Sequence, residues 1–394
     1  MLLELVDLSV QATSLLHLAQ LALHDKSGDT GHGELAESEA ENEINYAKTL
    51  PCIRQRDEVA QWGHRGTIIG MMTIPGTTGL LPPAFEERLL HLLTADQLAA
   101  WRLAFTAPSA ATFRVNTLLA AEETVLEELR REGLSPQRLG WPREAWRVDS
   151  ARRRELTDTA AAREGRLYVQ SPSSMVPVDV LDPLPGEEIL DLAAAPGGKT
   201  VHMAARMGNE GRIGAVESVK GRFHRLRRNL DRCGATIVDT YLADGAGVGR
   251  KVPERFDRVL LDAPCSSEGR FRAHDPDSMA FWSLKKIREM VRKQKKLSIA
   301  AVHALKPGGV LVYCTCTLAP EENEAIVDNL LTRFGDALEM EEMFLPPEHT
   351  TPGIDTWEKR RYADAVSRCV RIQADASREG FFVAKLRKRK ATPQ

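Results

Sequence analysis

Glu188-Ile-Leu-Asp191-Leu-Ala-Ala-Ala-Pro196-Gly-Gly-Lys199-Thr200 sets an apolar, strand-like run against a turn of small residues, and an amphipathic helical pattern follows over Lys199–Met207. A strand running through a tight small-residue turn into a helix is the opening of a βαβ unit. Working outward, the same rhythm continues. Strands are expected at Glu188–Leu192, Arg212–Val216, Ile237–Leu242, Arg258–Asp262 and Gly309–Cys314. Helices are expected between them at Gly221–Cys233 and Ser283–Ala304, then a helix at Glu321–Phe334 and a last strand at Gly380–Leu386. Right-handed crossovers between such strands dictate a parallel, doubly wound, Rossmann-like α/β sheet over residues 171–390.

Ligands of such sheets sit at the carboxyl ends of the strands. A P-loop would need glycine six residues before Lys199, where Ala193 stands, and the turn has no G-x-G-x-x-G fingerprint. What remains is a small-residue turn, Ala193, Ala194, Ala195, Pro196, Gly197 and Gly198, where backbone can approach a ligand closely. This is how class I methyltransferases hold the methionine moiety of S-adenosylmethionine (SAM). Four strands end in acids: Asp191, Glu217, Asp244 and Asp262. Glu217 suits a ribose diol and Asp244 an adenine amino group; capping alone seldom places four carboxylates this way.

Before this unit, residues 83–170 predict a small α+β domain. Helical spacing covers Phe85–Phe105 and Ala121–Gly133, and strands are expected at Ala111–Leu119, Trp146–Val148 and Arg166–Gln170. Residues 1–82 are acidic and poor in apolar pattern, and predict a loosely structured extension with one helix near its start. Of 394 residues, 43% are hydrophobic and 27% charged, values of a globular protein. No run of about 18 apolar residues predicts a membrane span. Six cysteines with no export signal point to free thiols in a reducing, cytoplasmic setting. The net charge of −2 conceals an uneven distribution. Residues 1–80 hold 5 basic and 11 acidic side chains, whereas 81–394 hold 48 and 44, so the body permits a polyanionic partner.

The most specific motifs are Asp262-Ala-Pro-Cys265-Ser and Tyr313-Cys-Thr-Cys316-Thr. With the small-residue turn, Phe113-Arg-Val-Asn116-Thr-Leu, Gln170-Ser-Pro-Ser-Ser-Met175 and Gly380-Phe-Phe-Val-Ala, the chain resembles the RNA cytosine-C5 methyltransferases of the Sun (Fmu-like, RsmB/NOP) family over residues 110–390. It is most similar to the bacterial ribosomal RNA members. The resemblance implies a SAM-dependent enzyme forming 5-methylcytosine. Cys316 corresponds to the attacking thiol, Cys265 to the cysteine that assists product release, and Asp262 to the group on the cytosine edge. Lys199 is placed to stabilise a thiolate or orient Asp262, and Arg222 matches a position near the cofactor.

The chemistry asks for these groups independently. Cytosine C5 is a poor nucleophile until a thiolate adds to C6, and the C5 proton must then be removed. Other roles for the thiols stay open at this level. Cys314 and Cys316 share a strand face by alternation, so spacing alone does not choose the nucleophile. A Cys265–Cys316 disulfide conflicts with a reducing compartment, and a metal site lacks a second ligand pair. Cys52, Cys233 and Cys369 read as inert core.

Three basic clusters are candidates for phosphate contact. They are Lys285, Lys286, Arg288, Arg292, Lys293, Lys295 and Lys296; Arg222, Arg225, Arg227, Arg228 and Arg232; and Lys385, Arg387, Lys388, Arg389 and Lys390. The resemblance places Arg114 and Asn116 on an RNA-facing surface of the small domain. No separate C-terminal RNA-binding domain is expected, so target choice falls to the small domain or to RNA shape. Two other functions compete: a DNA cytosine methyltransferase, disfavoured because Ser266 follows Cys265, and a non-catalytic ribosome-assembly factor. The sequence indicates no oligomeric state, and it names neither the RNA, ribosomal or transfer, nor the target base.

Overall fold

The computed structural model describes residues 81–108 and 110–392. The expected extension, and Cys52 with it, lies outside them apart from Leu81 and Pro82. Leu81 is buried beside Phe85.

Helices α1 (Pro83–Leu92) and α2 (Ala95–Thr106) come first. Thr94 starts α2 with a capping box: its Oγ1 accepts from Gln97 N at 3.3 Å, and Gln97 Oε1 accepts from Thr94 N at 3.0 Å. The apolar faces of both helices pack on Phe271 and Leu318, far along the chain.

A four-stranded antiparallel sheet follows. It contains β1 (Ala111–Val115), β2 (Gln137–Arg138), β3 (Trp146–Val148) and β4 (Leu167–Val169) in the order β2-β3-β1-β4. Helix α3 (Glu122–Arg131) covers it through Val125, Leu126 and Leu129. Strand β1 is shorter than its apolar pattern predicts. Asn116 turns the chain, accepting Leu119 N on its carbonyl at 3.1 Å.

Beyond α4 (Pro172–Leu181) the alternation predicted for residues 171–390 appears in full. Its elements are β5 (Glu188–Asp191), α5 (Gly198–Arg206), β6 (Arg212–Glu217), α6 (Lys220–Arg232), β7 (Val238–Leu242), β8 (Phe256–Asp262), α7 (Leu284–Ala304), β9 (Leu305–Thr315) and α8 (Glu324–Phe334). Then come β10 (Leu338–Met340), β11 (Thr350–Pro352), a ribbon of β12 (Thr356–Trp357) and β13 (Arg360–Arg361), β14 (Val370–Ile372) and β15 (Phe381–Lys388). The order β7-β6-β5-β8-β9 is parallel throughout, and β15 joins β9 antiparallel.

Alternate residues of these strands feed two cores. Leu190, Val259, Leu311 and Tyr313 pack under α7 and α8, while Ile189, Leu260, Val312 and Cys314 pack under α4, α5 and α6. Both faces of the central strands are therefore dry, while the edge strand β7 stays largely exposed. The strand order reverses between β5 and β8, and a crevice opens beyond their ends at Asp191 and Asp262.

Candidate active site

The small-residue turn leaves β5 and is held from three sides. Arg222 Nη2 donates to Ala195 O at 2.7 Å, Asn229 Nδ2 to Pro196 O at 2.8 Å, and Arg114 Nη2 to Gly198 O at 3.1 Å. Gly197 has φ of +108°, a conformation that side chains resist, and it lets the backbone enter α5 directly. The carboxylates at the strand ends differ in setting. Asp191 is buried and accepts from Thr200 Oγ1 at 2.7 Å, yet its Oδ1 has no partner. Burial pushes its pKa up to about 7. Glu217 Oε1 accepts from Val219 N at 2.8 Å, while Oε2 is buried without a hydrogen bond, 3.6 Å from Arg222 Nη2. Asp244 is exposed, and its Oδ1 accepts from Ala246 N at 3.0 Å. Two unsatisfied carboxylate oxygens beside a turn of small residues fit a ligand that brings N–H and hydroxyl donors, as SAM does.

The two cysteine motifs lie at the ends of adjacent strands, with Asp262 on β8 registered opposite Cys314 on β9. Cys316 stands one residue past β9, half-buried, its sulfur 3.4 Å from that of Cys265. Both thiols are free in this structure. The S–H of Cys265 and then Arg270 draw the Cys316 thiol below its ordinary pKa against the cost of burial. Its bond to Cys316, then burial, raise Cys265. Cys314 is different. It is fully buried, its thiol is pushed well up by burial, and it lies 3.6 Å from Asp262 Oδ1. Of the two sulfurs on this strand end, Cys316 alone lines the cleft.

Lys199, at the start of α5, donates to Asp262 Oδ2 and to Ser174 Oγ, both at 2.7 Å. Burial opposes its charge, but Asp262 together with the Cys314 and Cys316 sulfurs keeps the ammonium above its ordinary range. A cleft of about 390 Å³ runs from Asp191 and the small-residue turn, past Lys199 and Asp262, to Cys316. Tyr168, Ser174, Phe381 and, toward one end, Arg153, Arg270, Arg272 and Glu379 complete its walls.

Several of these neighbours are invisible to motif reasoning. Ser174 belongs to a recognisable motif, but nothing in its sequence assigns it to Lys199. Glu268 and Glu322 are buried beneath the thiols. Glu322 accepts from Ser266 N at 3.1 Å and Gln294 Nε2 at 2.7 Å. Glu268 accepts from Thr317 Oγ1 at 3.0 Å, Leu318 N at 3.2 Å and Trp282 Nε1 at 2.8 Å. Ser266 Oγ meets Thr317 Oγ1 at 2.7 Å, so the two cysteine loops are cross-linked.

Some expectations for RNA-facing groups change. Arg114 and Asn116 are buried: Arg114 binds Gln170 and the Gly198 carbonyl, and Asn116 binds the carbonyls of Gly165 and Cys233. Arg114 ties the small sheet to the small-residue turn, Asn116 ties it to the end of α6, and neither faces solvent. The basic tail is largely spoken for. Lys388 is buried on the carbonyls of Val302 and Leu305, and Arg387, Arg389 and Lys390 pair with Glu341, Glu339 and Asp336. On α7, Glu289 pairs with Lys286 and Lys293.

A sheet that offers a small-residue turn in place of a phosphate loop, with the Cys316 thiol lining the same cleft, places the protein among class I methyltransferases. The chain belongs to the RsmB/F family: residues 178–387 match the family model of 16S rRNA methyltransferase RsmB/F. It is 47% identical over 225 residues to the tRNA (cytosine(49)-C(5))-methyltransferase of Pyrococcus abyssi (strain GE5 / Orsay), covering 57% of this chain and 71% of that one. It is 39% identical over 324 residues to ribosomal RNA small subunit methyltransferase F of Escherichia coli O6:H1, covering 80% of this chain and 65% of the relative. The chain thus spans just under two thirds of that relative's length. Among solved structures, a methyltransferase homolog protein from Pyrococcus horikoshii superposes with a TM-score of 0.67 at 30% identity, over 79% of this chain and 97% of that one. NSun6 from Pyrococcus horikoshii with SFG gives 0.63 at 25%, over 77% and 97%. No described helix is long and apolar enough to cross a membrane.

Proposed function

We propose that this chain is a SAM-dependent RNA methyltransferase that forms 5-methylcytosine, with ribosomal RNA as its substrate and the cytoplasm as its setting. The observation that carries this reading is Cys316 on the wall of the cleft that begins at the small-residue turn, with the Cys265 sulfur 3.4 Å from its own. Asp191, Glu217, Asp244, Arg222 and residues 193–199 would hold SAM, which when bound supplies the methyl group. Cys316, the thiol of lowered pKa, adds through Sγ to C6 of the cytosine. Asp262, fixed by Lys199, faces the N3/N4 edge and orients the ring. After C5 is methylated, Cys265 assists loss of the C5 proton. The C6–sulfur bond then breaks, returning its electrons to Cys316. Exposed Lys285, Arg288, Arg292 and Lys296, with Arg225, Arg227 and Arg228, supply phosphate contacts; residues 83–170 form the accessory RNA-binding domain.

Transfer RNA is the second substrate reading, favoured by the higher identity to the Pyrococcus abyssi relative. Tritium release from C5-labelled cytosine, compared across ribosomal RNA, transfer RNA and DNA, separates the readings. Release from ribosomal RNA is expected; release from DNA alone, or from none, overturns the proposal.

A further inference from the structure

We propose that Phe281 is a stacking platform for an unpaired nucleotide beside the target cytosine. This inference deepens the RNA reading above and rests on it. The chemistry demands a base outside its stack, because a thiol set in a cleft cannot reach C6 within a helix. The nucleotides next to such a base lose stacking partners, and an exposed aromatic face replaces them.

Phe281 offers such a face. It is 87% exposed, although a single exposed apolar residue is by itself ordinary. Its position is what singles it out. It lies on the segment that links the cysteine loop to α7, and Arg270, Arg272 and Asp275 of that segment line the catalytic cleft. The segment is fixed at both sides of Phe281. Trp282 donates from its indole to Glu268 Oε1 at 2.8 Å and packs edge-on against Phe85, with ring centroids 5.3 Å apart. Glu268 in turn holds Thr317 and Leu318, the residues directly after Cys316. Trp282 NH also donates to Met279 O at 2.9 Å, closing a turn across Phe281. With Trp282 turned inward, its neighbour stands outward.

Charge points to the class of occupant. Ser283 caps α7 immediately afterwards, and Lys285, Arg288, Arg292 and Lys296 recur at helical spacing on its exposed face. Their neighbours Lys286 and Lys293 are already paired with Glu289, so the net positive charge lies on the outer row. An aromatic face followed by a cationic row matches the alternation of base and phosphate in an unpaired strand.

The test uses the full chain and two probes: a short unpaired oligoribonucleotide carrying one 2-aminopurine, and the same strand annealed to its complement. Phe281→Ala is expected to weaken binding of the unpaired probe by roughly 5- to 100-fold and the duplex much less. It should also remove the 2-aminopurine quenching. Phe281→Trp should restore both, and Phe281→Leu, equally apolar but without a ring, should not. Unchanged SAM affinity confirms that each variant is folded. Equal affinity of Phe281→Ala and the parent chain for the unpaired probe overturns the inference alone, provided that the parent binds with salt dependence. A parent chain that binds neither probe overturns the RNA reading and this inference together. Phosphatidylserine vesicles bound by the parent and lost in Phe281→Ala, with oligonucleotide binding intact, would reassign the patch to a membrane surface.

Discussion

At the scale of single residues, the central question is which thiol attacks. Alternation along β9 leaves Cys314 and Cys316 equivalent, but their surroundings separate them. Cys314 is sealed in the core against Asp262, where an anionic sulfur would face a carboxylate without solvent. Cys316 lines the cleft, and its neighbours Cys265 and Arg270 favour its thiolate. The division of labour gives a sharp expectation. Cys265→Ala should still attack and methylate cytosine, then stall as a covalent protein–RNA adduct. Cys316→Ala, and the double variant, should form none. Labelled RNA on a denaturing gel reads this directly. Adduct in Cys316→Ala and its loss in Cys265→Ala would exchange the roles of the two thiols.

At the scale of elements, the strands and their acidic ends are legible in the sequence because a dry parallel sheet needs continuous apolar runs that stop at polar turns. What lies between the elements is not. Glu322 falls in the first turn of the helix expected over Glu321–Phe334. The helix starts at Glu324 instead, and the chain before it turns Glu322 inward to receive Ser266 NH. Arg114 and Asn116, which the resemblance places on an RNA-facing surface, are likewise turned inward, onto Gln170 and the carbonyls of Gly198, Gly165 and Cys233. The buried carboxyl of Glu322 has a measurable signature. Burial raises its pKa from 4.5 to about 8, so the folded state holds a proton that the unfolded state releases. The associated stability is complete below pH 4.5 and is lost as pH rises through about 8. Glu322→Gln copies the protonated form. It should match the parent's melting temperature at low pH, exceed it increasingly from about pH 4.5 to about pH 8, and keep a constant lead above that. Parallel melting curves across this range would mean that Glu322 is ionised in the fold.

At the scale of the whole molecule, charge has to be counted after folding rather than before. The sequence presents three basic clusters as equals, yet the fold consumes them unequally. The C-terminal cluster is built into β15 and its surroundings, with Lys388 buried and its neighbours ion-paired. The row Lys285, Arg288, Arg292 and Lys296 on α7 stays exposed, outside the pairs that Glu289 makes. Only free cations release counterions from a nucleic acid, so the row and the tail should differ in salt response. Reversing Lys285, Arg288 and Arg292 to Glu should weaken RNA binding and flatten the plot of log affinity against log salt. The slope should change by roughly 0.7 for each phosphate of a single strand that is no longer neutralised. Reversing Arg389 and Lys390, already matched by Glu339 and Asp336, should alter the slope much less. Fluorescence anisotropy over a potassium chloride series measures both. A tail reversal that flattens the slope as strongly as the α7 reversal would show that RNA displaces the tail's ion pairs, and the binding track would then have to extend across β15.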